Sequence, residues 1–345
     1  MSYQCLLRNL MDDKKTLLGV GPVTREIIDV CVDISKKEIP ILLIASRRQV
    51  ESESINKSYV VSTEYMGNIN INNLYKCRDH GGPWQGIDEH NISFTDAMKF
   101  AMKSYKSDIE NGFKIIHIDP SVKKIHNVYD VIEELIRYCE KLGQDLEYEI
   151  GTEETNGIIT DISSFDEFVS TCVDISVRIC HKKPLFVVGQ TGTYVRETKQ
   201  AGLFDFENTV KLCNITHKYG LFFKEHNADY LSIEDYMIHR KSGIDAINIA
   251  PELGVLQTKI LLDNIKNKEL FDKFVKYVVD NKKWVKWLVN DDLSDIDKCL
   301  IAGHYHFNDN IMNDIWKEVD RDKIRTIWIQ ELKSRILEIL EVLGI

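Results

Sequence analysis

Short apolar runs recur along the chain, and segments with helical spacing lie between them. Runs of this length and composition are typical of buried strands. Eight of them are predicted strands: "LLGVG" (17–21), "ILLIAS" (41–46), "NLYKCRDH" (73–80), "KIIHID" (114–119), "LEYEIG" (146–151), "LFVVGQ" (185–190), "LFFKEH" (221–226) and "IDAINIA" (244–250). Their alternation with helical segments predicts parallel strands, because each return to the same sheet edge needs a crossover.

The segments between the predicted strands have the amphipathic pattern of helices that cover a sheet. In the segment 127–142 one helical face is apolar and carries Val128, Val131, Ile132, Leu135, Ile136, Cys139 and Leu142. The segment 163–180 repeats the pattern with Phe165, Val169, Cys172 and Ile179. Strands and helices in strict alternation require right-handed crossovers, and eight such units close into a (β/α)8 barrel. A doubly wound open sheet is the alternative fold.

The chain continues well beyond the eighth predicted strand. The segments 258–289 and 321–343 are predicted helices with one strongly apolar face, so we expect them to pack on the barrel or against another subunit. The predicted division is a (β/α)8 barrel at 1–255 and a helical extension at 256–345.

Polar side chains end almost every predicted strand. Alternate residues of a barrel strand face the interior, and the last inward residues at the carboxyl end contact the substrate. Counting by twos assigns to this inner row Lys76, Arg78, His80, His117, Asp119, Glu147, Glu149, Gln190, Lys224, His226 and Asn248. An ordinary core would have Val, Ile or Leu at these positions, so we expect a shared polar pocket.

Two imidazoles and one or two carboxylates in one pocket suit a divalent ion such as zinc with an open coordination position. His80 and His226 are the predicted ligands, because each ends a strand beside an acid. His117 is flanked by isoleucines and is interpreted as a hydrogen-bonded core histidine rather than a ligand. The motif "GHYHF" (303–307) lies far beyond the barrel, and a supporting, lid or surface role stays open for it.

Composition limits the partners of the chain. The net charge of −10 and the lack of a large Lys/Arg cluster argue against nucleic acid and anionic membranes. Neither a signal-peptide pattern nor a long uncharged apolar stretch is present, so we expect a cytoplasmic protein that does not span a membrane. The eight cysteines lack CxxC spacing and are interpreted as reduced. An anionic substrate would then need a local basic pocket.

The strand-end motifs resemble a known family. "RDHGGPW", "GFKIIHID", "LEYEIGTEE", "VVGQTG", "FKEHNADY" and "INIAPELG" follow the order seen in the accessory, so-called non-catalytic subunit of class II tagatose-1,6-bisphosphate aldolase. Tagaturonate and tagatose epimerases belong to the same family, which is similar to the zinc-dependent class II fructose-bisphosphate aldolases. The resemblance covers residues 15 to 255 and implies the same barrel fold.

The resemblance also implies roles for individual residues. His80 and His226 correspond to metal ligands, and either Glu149 or Glu153 corresponds to a further carboxylate ligand. Asp79 lies where class II aldolases keep the acid that moves the hydroxyl proton, and Asp119 falls on a family position at the pocket rim. These two aspartates are the candidate catalytic residues. The implied cofactor is a divalent metal, with zinc the expected ion.

Some positions depart from the family pattern. Gln190 replaces a histidine of the aldolases, Arg78 replaces a glycine, and "EHNADY" replaces a Gly-Ser-rich phosphate loop. Cations at the top of the second strand, Arg47 and Arg48, could contact a substrate phosphate or carboxylate, or pair with nearby acids. The candidate substrate-binding residues are Arg47, Gln49, Arg78, Gln190, Lys224 and Asn248, of which Asn248 corresponds to the asparagine that holds the keto end of the substrate.

Three functions are compatible with this sequence. The first is reversible metal-dependent aldol cleavage of a ketose or ketose phosphate, and the second is C4 epimerisation of a ketose or keturonate by cleavage and re-addition. The third is an accessory subunit that stabilises a catalytic tagatose-bisphosphate aldolase. The expected partners are a small sugar or sugar phosphate and either further copies of the chain or an aldolase subunit.

Overall fold

Eight parallel strands close into a barrel in the computed structural model of the chain. The structure describes residues 9, 15–121, 123, 125, 127–143, 145–151, 157–289 and 292–345. The barrel strands are β1 (Leu17–Val20), β2 (Ile41–Ser46), β3 (Leu74–Gly81), β4 (Ile115–Ile118), β5 (Glu147–Ile150), β6 (Phe186–Val188), β7 (Phe222–Glu225) and β8 (Ala246–Ile249). Neighbours in sequence pair in space, and β8 pairs with β1. The predicted (β/α)8 barrel is confirmed, and an open sheet is excluded.

Helices follow the strands and cover the barrel. Within the described residues they are α1 (Arg25–Ser35), α2 (Thr63–Gly67), α3 (Phe94–Glu110), α4 (Val128–Glu140), α5 (Ile162–Cys180), α6 (Phe206–Lys218), α7 (Ile233–Lys241), α8 (Pro251–Asn264), α9 (Lys268–Asp280), α10 (Asp295–Ala302), α11 (Ile311–Glu318) and α12 (Arg321–Leu343). Short 3₁₀ turns span Glu89–Asn91, Val285–Trp287 and Gly303–His306. Two small ribbons pair Val50–Glu51 with Val61–Ser62 and Val195–Arg196 with Lys199–Gln200.

Apolar periodicity positions these helices. The buried face of α4 consists of Val131, Ile132, Leu135, Ile136 and Cys139, as the spacing predicted. On α5 the predicted residues Phe165, Val169 and Cys172 are buried. These faces pack on the outer surface of the barrel, where burial of apolar area drives the association.

The barrel interior is filled by a separate apolar cluster. It consists of Leu17, Leu42, Ile44, Tyr75, Cys77, Ile115, Leu185, Phe186, Phe222 and Ala246, with the C-terminal Ile345 packed against it. This layer fills most of the interior near the start of the strands. Inward-pointing polar side chains such as His117, Glu149 and Asn248 lie above it, toward the carboxyl ends of the strands, where barrel active sites form.

The C-terminal extension packs on the barrel mainly through its last helix. Helix α12 contacts α1, α7 and α8, and the Leu343 carbonyl accepts a hydrogen bond of 3.1 Å from the Thr16 backbone N–H just before β1. The turns at 285–287 and 303–306 lie instead at the carboxyl ends of the strands, since Lys286, Trp287 and Tyr305 line a cavity there. Helix α8 runs through the expected division at 255/256.

No helix among the described residues is long and apolar enough to cross a membrane. The cysteines in this part of the chain are free, and all but Cys180 are buried. Burial raises the pKa of thiols such as Cys31 and Cys77, so they behave as small apolar groups.

Candidate metal centre and active site

Five ionisable side chains from four strands converge above the apolar layer. Asp79 and His80 come from β3, His117 from β4, and Glu149 from β5. His226 follows directly after β7. Four of the five are buried, and His80 is half-buried at the cavity wall. We call these five residues the cluster.

The cluster is tight enough for its members to share one ion. The three imidazole rings form a triangle with centroid separations of 5.1 Å (His80 to His226), 5.3 Å (His117 to His226) and 5.6 Å (His80 to His117). Glu149 Oε1 lies 2.8 Å from His226 Nε2 and 3.6 Å from His117 Nδ1. Asp79 Oδ1 lies 3.7 Å from His226 Nε2.

An irregularity in β3 puts two neighbouring residues on the same side of the strand. Pairing of β3 with β4 shifts register between Arg78 and Gly81, and His80 has a φ of 44°. A side chain rarely adopts positive φ without surrounding structure that holds it there. Asp79 faces the interior in regular alternation with Tyr75 and Cys77, and the bulge brings His80 to the interior as well.

A hydrogen-bonded carboxylate orients His80. Asp119 Oδ2 lies 2.7 Å from His80 Nδ1 and also accepts a hydrogen bond of 2.8 Å from Gln85 Nε2. Its Oδ1 accepts the Ser121 backbone N–H at 2.9 Å. A carboxylate behind one ring nitrogen fixes the tautomer and leaves the other nitrogen available toward the cluster. The structure therefore places Asp119, a predicted catalytic residue, behind His80.

Glycines let β3 and β4 approach closely at this point. A Cβ on Gly82, whose φ is 139°, would lie 2.4 Å from the Asp119 carbonyl oxygen. A Cβ on Gly81 would lie 2.6 Å from the His117 carbonyl oxygen. The two glycines of "RDHGGPW" thus allow the backbones that carry the cluster to pack together.

The charges of the cluster shift its pKa values in opposite directions. Burial would raise the pKa of Asp79, but the His80 and His226 charges outweigh burial and lower it well below its usual range. For Glu149, burial is outweighed by Lys224 and His117, and the pKa falls to about 2. For His80, burial is outweighed by the Asp79 and Asp119 carboxylates, which raise its pKa to about 9. The two carboxylates are therefore ionised at neutral pH.

The donor set fits a divalent metal ion. Asp79, His117, Glu149 and His226 each offer one atom, and these four atoms lie within 4.8 Å of one another. The three histidines form a second set that meets the same limit. Within the described residues, Asp79 Oδ1 and His117 Nε2 are buried without a hydrogen-bond partner, which is costly unless another group binds there. Imidazole and carboxylate donors are those that zinc and similar ions prefer.

The sequence indicated that His117 is a hydrogen-bonded core histidine rather than a ligand, and the structure places it inside the cluster, where it is also a candidate ligand. Its Nδ1 accepts a hydrogen bond of 3.2 Å from the His80 backbone N–H, and its ring contacts both other imidazoles of the cluster. The sequence did contain an indication that His117 faces the pocket, because counting by twos puts it in the same inner row as Asp119. In the structure its register partner on β5 is Glu149. Apolar neighbours in sequence are outward-facing residues and say little about what a strand residue meets inside.

The cluster opens into a cavity of about 480 Å³. Its wall includes Asp79, His80, Asp119, His226 and Asn248 from the barrel. A larger hollow of about 1230 Å³ lies at the opposite end, near the starts of β1, β7 and β8, but contains no cluster residue. The smaller cavity is the candidate active site, because ionisable groups converge there and its size suits a small ligand.

Two predicted substrate-binding residues line this cavity. Asn248 is almost buried, and neither of its amide atoms has a hydrogen-bond partner within the described residues. A Cβ on Gly19 would lie 2.0 Å from Asn248 Oδ1, so β1 needs glycine beside this side chain. Gln49 lines the cavity too, and its Oε1 accepts the Ser46 backbone N–H at 3.0 Å.

Arg47 and Arg78 do not reach the cavity, contrary to the prediction that they contact substrate. Both are fully buried. Arg78 points outward from the barrel, with Nε 2.7 Å from Asp108 Oδ2 on α3. Counting by twos assigned it to the interior, but Tyr75 and Cys77 occupy that side of β3.

Arg47 is held in a similar way by two buried acids. Its Nε lies 2.7 Å from Glu51 Oε2, and its Nη1 lies 2.9 Å from Glu89 Oε2. Its Nη1 also donates to the Gly82 carbonyl at 3.2 Å. These bonds tie the segment after β2 to the segment after β3, which is a structural role.

The remaining predicted site residues lie around the cluster or outside the described part of the chain. Lys224 is fully buried beneath it, with Nζ 2.6 Å from Glu149 Oε2. Gln190 is half-buried and is not part of the cavity wall. Its backbone N–H donates to the Thr160 hydroxyl at 2.8 Å, and its carbonyl accepts the Thr160 backbone N–H at 3.0 Å. Glu153, the alternative carboxylate ligand, lies outside the described residues.

Several cavity residues were not identified from the sequence. Arg196 belongs to the small ribbon after β6, and Lys286, Trp287 and Tyr305 belong to the extension. Tyr305 is the centre of "GHYHF", whose two histidines are buried rather than on the surface. The separation of these segments in sequence, from 196 to 305, left no local signal of their convergence.

Comparisons with known proteins establish the fold. No protein-family model and no curated protein matches the chain. Among solved structures, it is similar to a probable tagatose 6 phosphate kinase from Sinorhizobium meliloti 1021, with a TM-score of 0.70 and 16% identity over 95% of this chain and 97% of that one. It is also similar to fructose-bisphosphate aldolase from Campylobacter jejuni, with a TM-score of 0.55 and 11% identity over 97% of this chain and 93% of that one.

A further similar structure is the fructuronate-tagaturonate epimerase UxaE from Cohnella laeviribosi, with a TM-score of 0.56 and 11% identity over 99% of this chain and 85% of that one. The chain thus shares its barrel fold with aldolase and epimerase structures. Sequence identities this low support a shared fold but do not assign a reaction, so the chemistry has to be inferred from the residues of the site.

Proposed function

We propose that the chain is a metal-dependent lyase of the class II aldolase type, which cleaves a ketose or ketose phosphate by a reversible aldol reaction. The observation that carries the proposal is the cluster, three histidines and two carboxylates at the carboxyl end of the barrel. Its orphaned buried atoms have a physical explanation if a metal ion and a substrate bind there.

His117 and His226, which belong to both donor sets, would hold the ion together with His80 or Glu149, and Glu153 stays a further candidate. Zinc suits these donors. When bound, such an ion supplies Lewis-acid chemistry, polarising a carbonyl and stabilising negative charge on oxygen. Asp119 keeps His80 oriented, and Lys224 holds Glu149 in place and balances its charge.

Asp79 is the proposed proton carrier. Its carboxylate is ionised at neutral pH, lines the cavity, and has an oxygen with no hydrogen-bond partner in the described structure. It can accept the proton of a substrate hydroxyl as the adjacent carbon–carbon bond breaks, and return it in the reverse direction. Asn248 has free amide donor and acceptor atoms to orient the keto end of the substrate.

The comparisons support this choice of chemistry at the level of the fold. Two of the similar structures are a fructose-bisphosphate aldolase and a fructuronate-tagaturonate epimerase, and both names describe enzymes that act on sugars. Proteins with this barrel fold catalyse many different reactions, so the proposal depends mainly on the residues of the cluster.

Epimerisation at C4 is the second candidate, favoured by the covering of the cavity. Lys286, Trp287 and Tyr305 from the extension form part of its wall. A wall of this kind would retain an aldehyde fragment after cleavage, and a retained fragment can rotate and add back with inverted configuration. Release of the fragment makes the enzyme an aldolase, and retention makes it an epimerase.

An accessory role is the third candidate, and it predicts a protein without metal or activity of its own. Against it stand the orphaned buried atoms of the cluster, which cost stability without a bound group to satisfy them. Purified chain that holds no metal, turns over no ketose and raises the stability of an aldolase partner would favour the accessory role.

The test of the reaction uses purified, metal-loaded protein and a panel of ketoses and ketose phosphates. A coupled dehydrogenase traps any triose released, and NMR in deuterated water follows the C4 epimer. Triose release supports the aldolase. Epimer without triose, and without deuterium at the inverted carbon, supports the epimerase, whereas deuterium there indicates proton transfer instead of cleavage.

Asp79→Asn is the matched variant, since it keeps the shape of the side chain and removes its basicity. Loss of a positioned acid or base lowers kcat by about 100-fold or more. Metal content should remain, because the three histidines and Glu149 are unchanged. Full turnover by Asp79→Asn would remove Asp79 from the mechanism, and no product from metal-loaded wild type on a broad panel would contradict the enzymatic proposal.

A further inference from the structure

Three cationic side chains from distant segments line one part of the cavity wall. Arg48 follows β2, Arg196 lies in the small ribbon after β6, and Lys286 lies in the 285–287 turn of the extension. A backbone hydrogen bond of 2.8 Å from Glu197 N–H to the Trp287 carbonyl joins the ribbon to this turn. The chain therefore brings Arg196 and Lys286 together by a direct backbone contact.

None of the three cations forms an ion pair with an acid among the described residues. Arg196 donates Nη1 to the Val195 carbonyl at 2.9 Å and stacks over the Tyr194 ring at 3.8 Å. By contrast, Arg47 and Arg78 are each paired with buried carboxylates. Partly desolvated guanidinium groups without counter-charges are ready to bind an anion.

The surroundings of Lys286 show that the cations affect one another. Its side chain as a whole is exposed, yet its ammonium group lies over the rings of Trp287 and Tyr305, at 4.6 Å and 5.2 Å from their centroids. Burial of the ammonium group, followed by repulsion from Arg48 and Arg196, lowers the pKa of Lys286 to about 7. An anion placed among the three groups would relieve this repulsion.

The acids of the cavity do not neutralise these cations. Asp119 is engaged by His80, and Asp79 lies within the cluster. Asp229 accepts the backbone N–H groups of Ala250 and Glu252 at 2.9 Å each. The cavity thus has an ion-binding cluster in one part of its wall and uncompensated positive charge in another.

We propose that Arg48, Arg196 and Lys286 form an anion subsite that binds a terminal phosphate or carboxylate of the sugar substrate. The proposal rests on the proposed function, since it takes the cavity ligand to be a sugar. It deepens that function by making the substrate an anionic ketose. Because Lys286 comes from the extension, substrate recognition would depend on residues outside the barrel.

The test compares three sugars that differ at C6, namely tagatose, tagatose 6-phosphate and tagaturonate. Isothermal titration calorimetry measures their Kd for metal-loaded wild type and for Arg48→Gln, Arg196→Gln and Lys286→Gln. Lys282→Gln is the matched control, because Lys282 is exposed in the same part of the extension and does not line the cavity. Circular dichroism of each variant checks that it is folded.

At least one anionic sugar should bind about 10-fold or more tightly than tagatose, since hydrogen bonds to charged groups are the stronger ones. Each cavity variant should lose about 10-fold of that preference, and Lys282→Gln should keep it. Comparison of tagatose 6-phosphate with tagaturonate shows whether the subsite prefers a phosphate or a carboxylate. Equal binding of all three sugars, or a preference unchanged in all three cavity variants, would overturn the subsite.

Binding and turnover separate this proposal from the proposed function. An anion preference that depends on the three cations, in a protein with no turnover, would support the subsite and contradict the enzyme. Turnover of ketoses without a preference for anionic sugars would support the enzyme and contradict the subsite.

Discussion

Adjacent residues of β3 illustrate how the structure divides charged side chains. Arg78 points outward, where both of its carboxylate contacts are with Asp108, whereas Asp79 points inward and keeps an oxygen without a hydrogen-bond partner among the described residues. A buried charge with a matched partner is satisfied by the fold, while a buried polar atom without one costs free energy. Of the two, only Asp79 has a reason to bind something further.

The first prediction separates Arg47 from its neighbour Arg48. Arg47→Met should lower the free energy of unfolding by about 3–5 kcal/mol, because it leaves Glu51 and Glu89 buried without their counter-charge. Arg48→Met should change it by about 0.5 kcal/mol or less, because Arg48 is half-buried and has no ion pair in the described structure. Urea unfolding of the two variants measures both values, and equal stabilities would contradict the structural role of Arg47.

At the scale of the element, regular alternation predicted the inner rows of most strands and failed on one. His117, Glu149, Lys224 and Asn248 lie on the inner side as counting by twos requires. In β3 the count was out by one residue, and only the bulge with positive φ at His80 brought that predicted ligand inward. Period two assumes an unbroken strand, and nothing in "YKCRDHGG" indicates where the ladder shifts.

Contacts between distant elements were beyond the reach of the sequence. Motifs at strand ends could be placed together, because a barrel brings the carboxyl ends of its strands to one rim. The contribution of Lys286 and Tyr305 depends on how the extension folds back over that rim, which local pattern does not specify. For the same reason, Arg48 could not be distinguished from Arg47 as the cation that lines the cavity.

The 303–306 turn of the extension provides a prediction of pH dependence. His304 is buried against Gly254, and both of its ring nitrogens are without hydrogen-bond partners in the described structure. Burial, aided by the charge of Lys286, lowers the pKa of His304 to about 3. Between that value and the ordinary pKa of about 6.5, the unfolded chain binds a proton that the folded chain does not, so stability falls as pH falls.

The expected contribution of His304 is a loss of about 2 kcal/mol of unfolding free energy between pH 7 and pH 5. His304→Gln should therefore lose about 2 kcal/mol less than wild type over this interval, and His90→Gln, at an exposed histidine, should lose as much as wild type. Urea unfolding at the two pH values checks this. Parallel losses in wild type and His304→Gln would show that His304 titrates normally.

At the scale of the whole molecule, the extension contacts both ends of the barrel. Helix α12 packs on α1 and bonds to the residue before β1, while the 285–287 and 303–306 turns line the cavity at the opposite end. Helix α8 runs continuously from the barrel into the extension. We expect the barrel and the extension to unfold as one cooperative unit, although the sequence predicted a division between them at 255/256.

The tryptophans offer a test of this unity. Four of the five, at positions 284, 287, 316 and 328, lie in the extension, so their fluorescence reports mainly on it. Far-ultraviolet circular dichroism reports on all helices and strands. The two unfolding curves should coincide within error, and a fluorescence transition at clearly lower urea would show that the extension unfolds separately.

The central claim is that one metal ion binds within the cluster and serves the chemistry of the cavity. Anomalous X-ray diffraction from crystals of zinc-loaded protein, recorded on both sides of the zinc absorption edge, tests it most directly. We expect one strong peak within ligand distance, about 2.0–2.2 Å, of donor atoms from His80, His117, Glu149 or His226. Crystals with stoichiometric zinc whose anomalous peak lies elsewhere, with none in the cluster, would contradict the account.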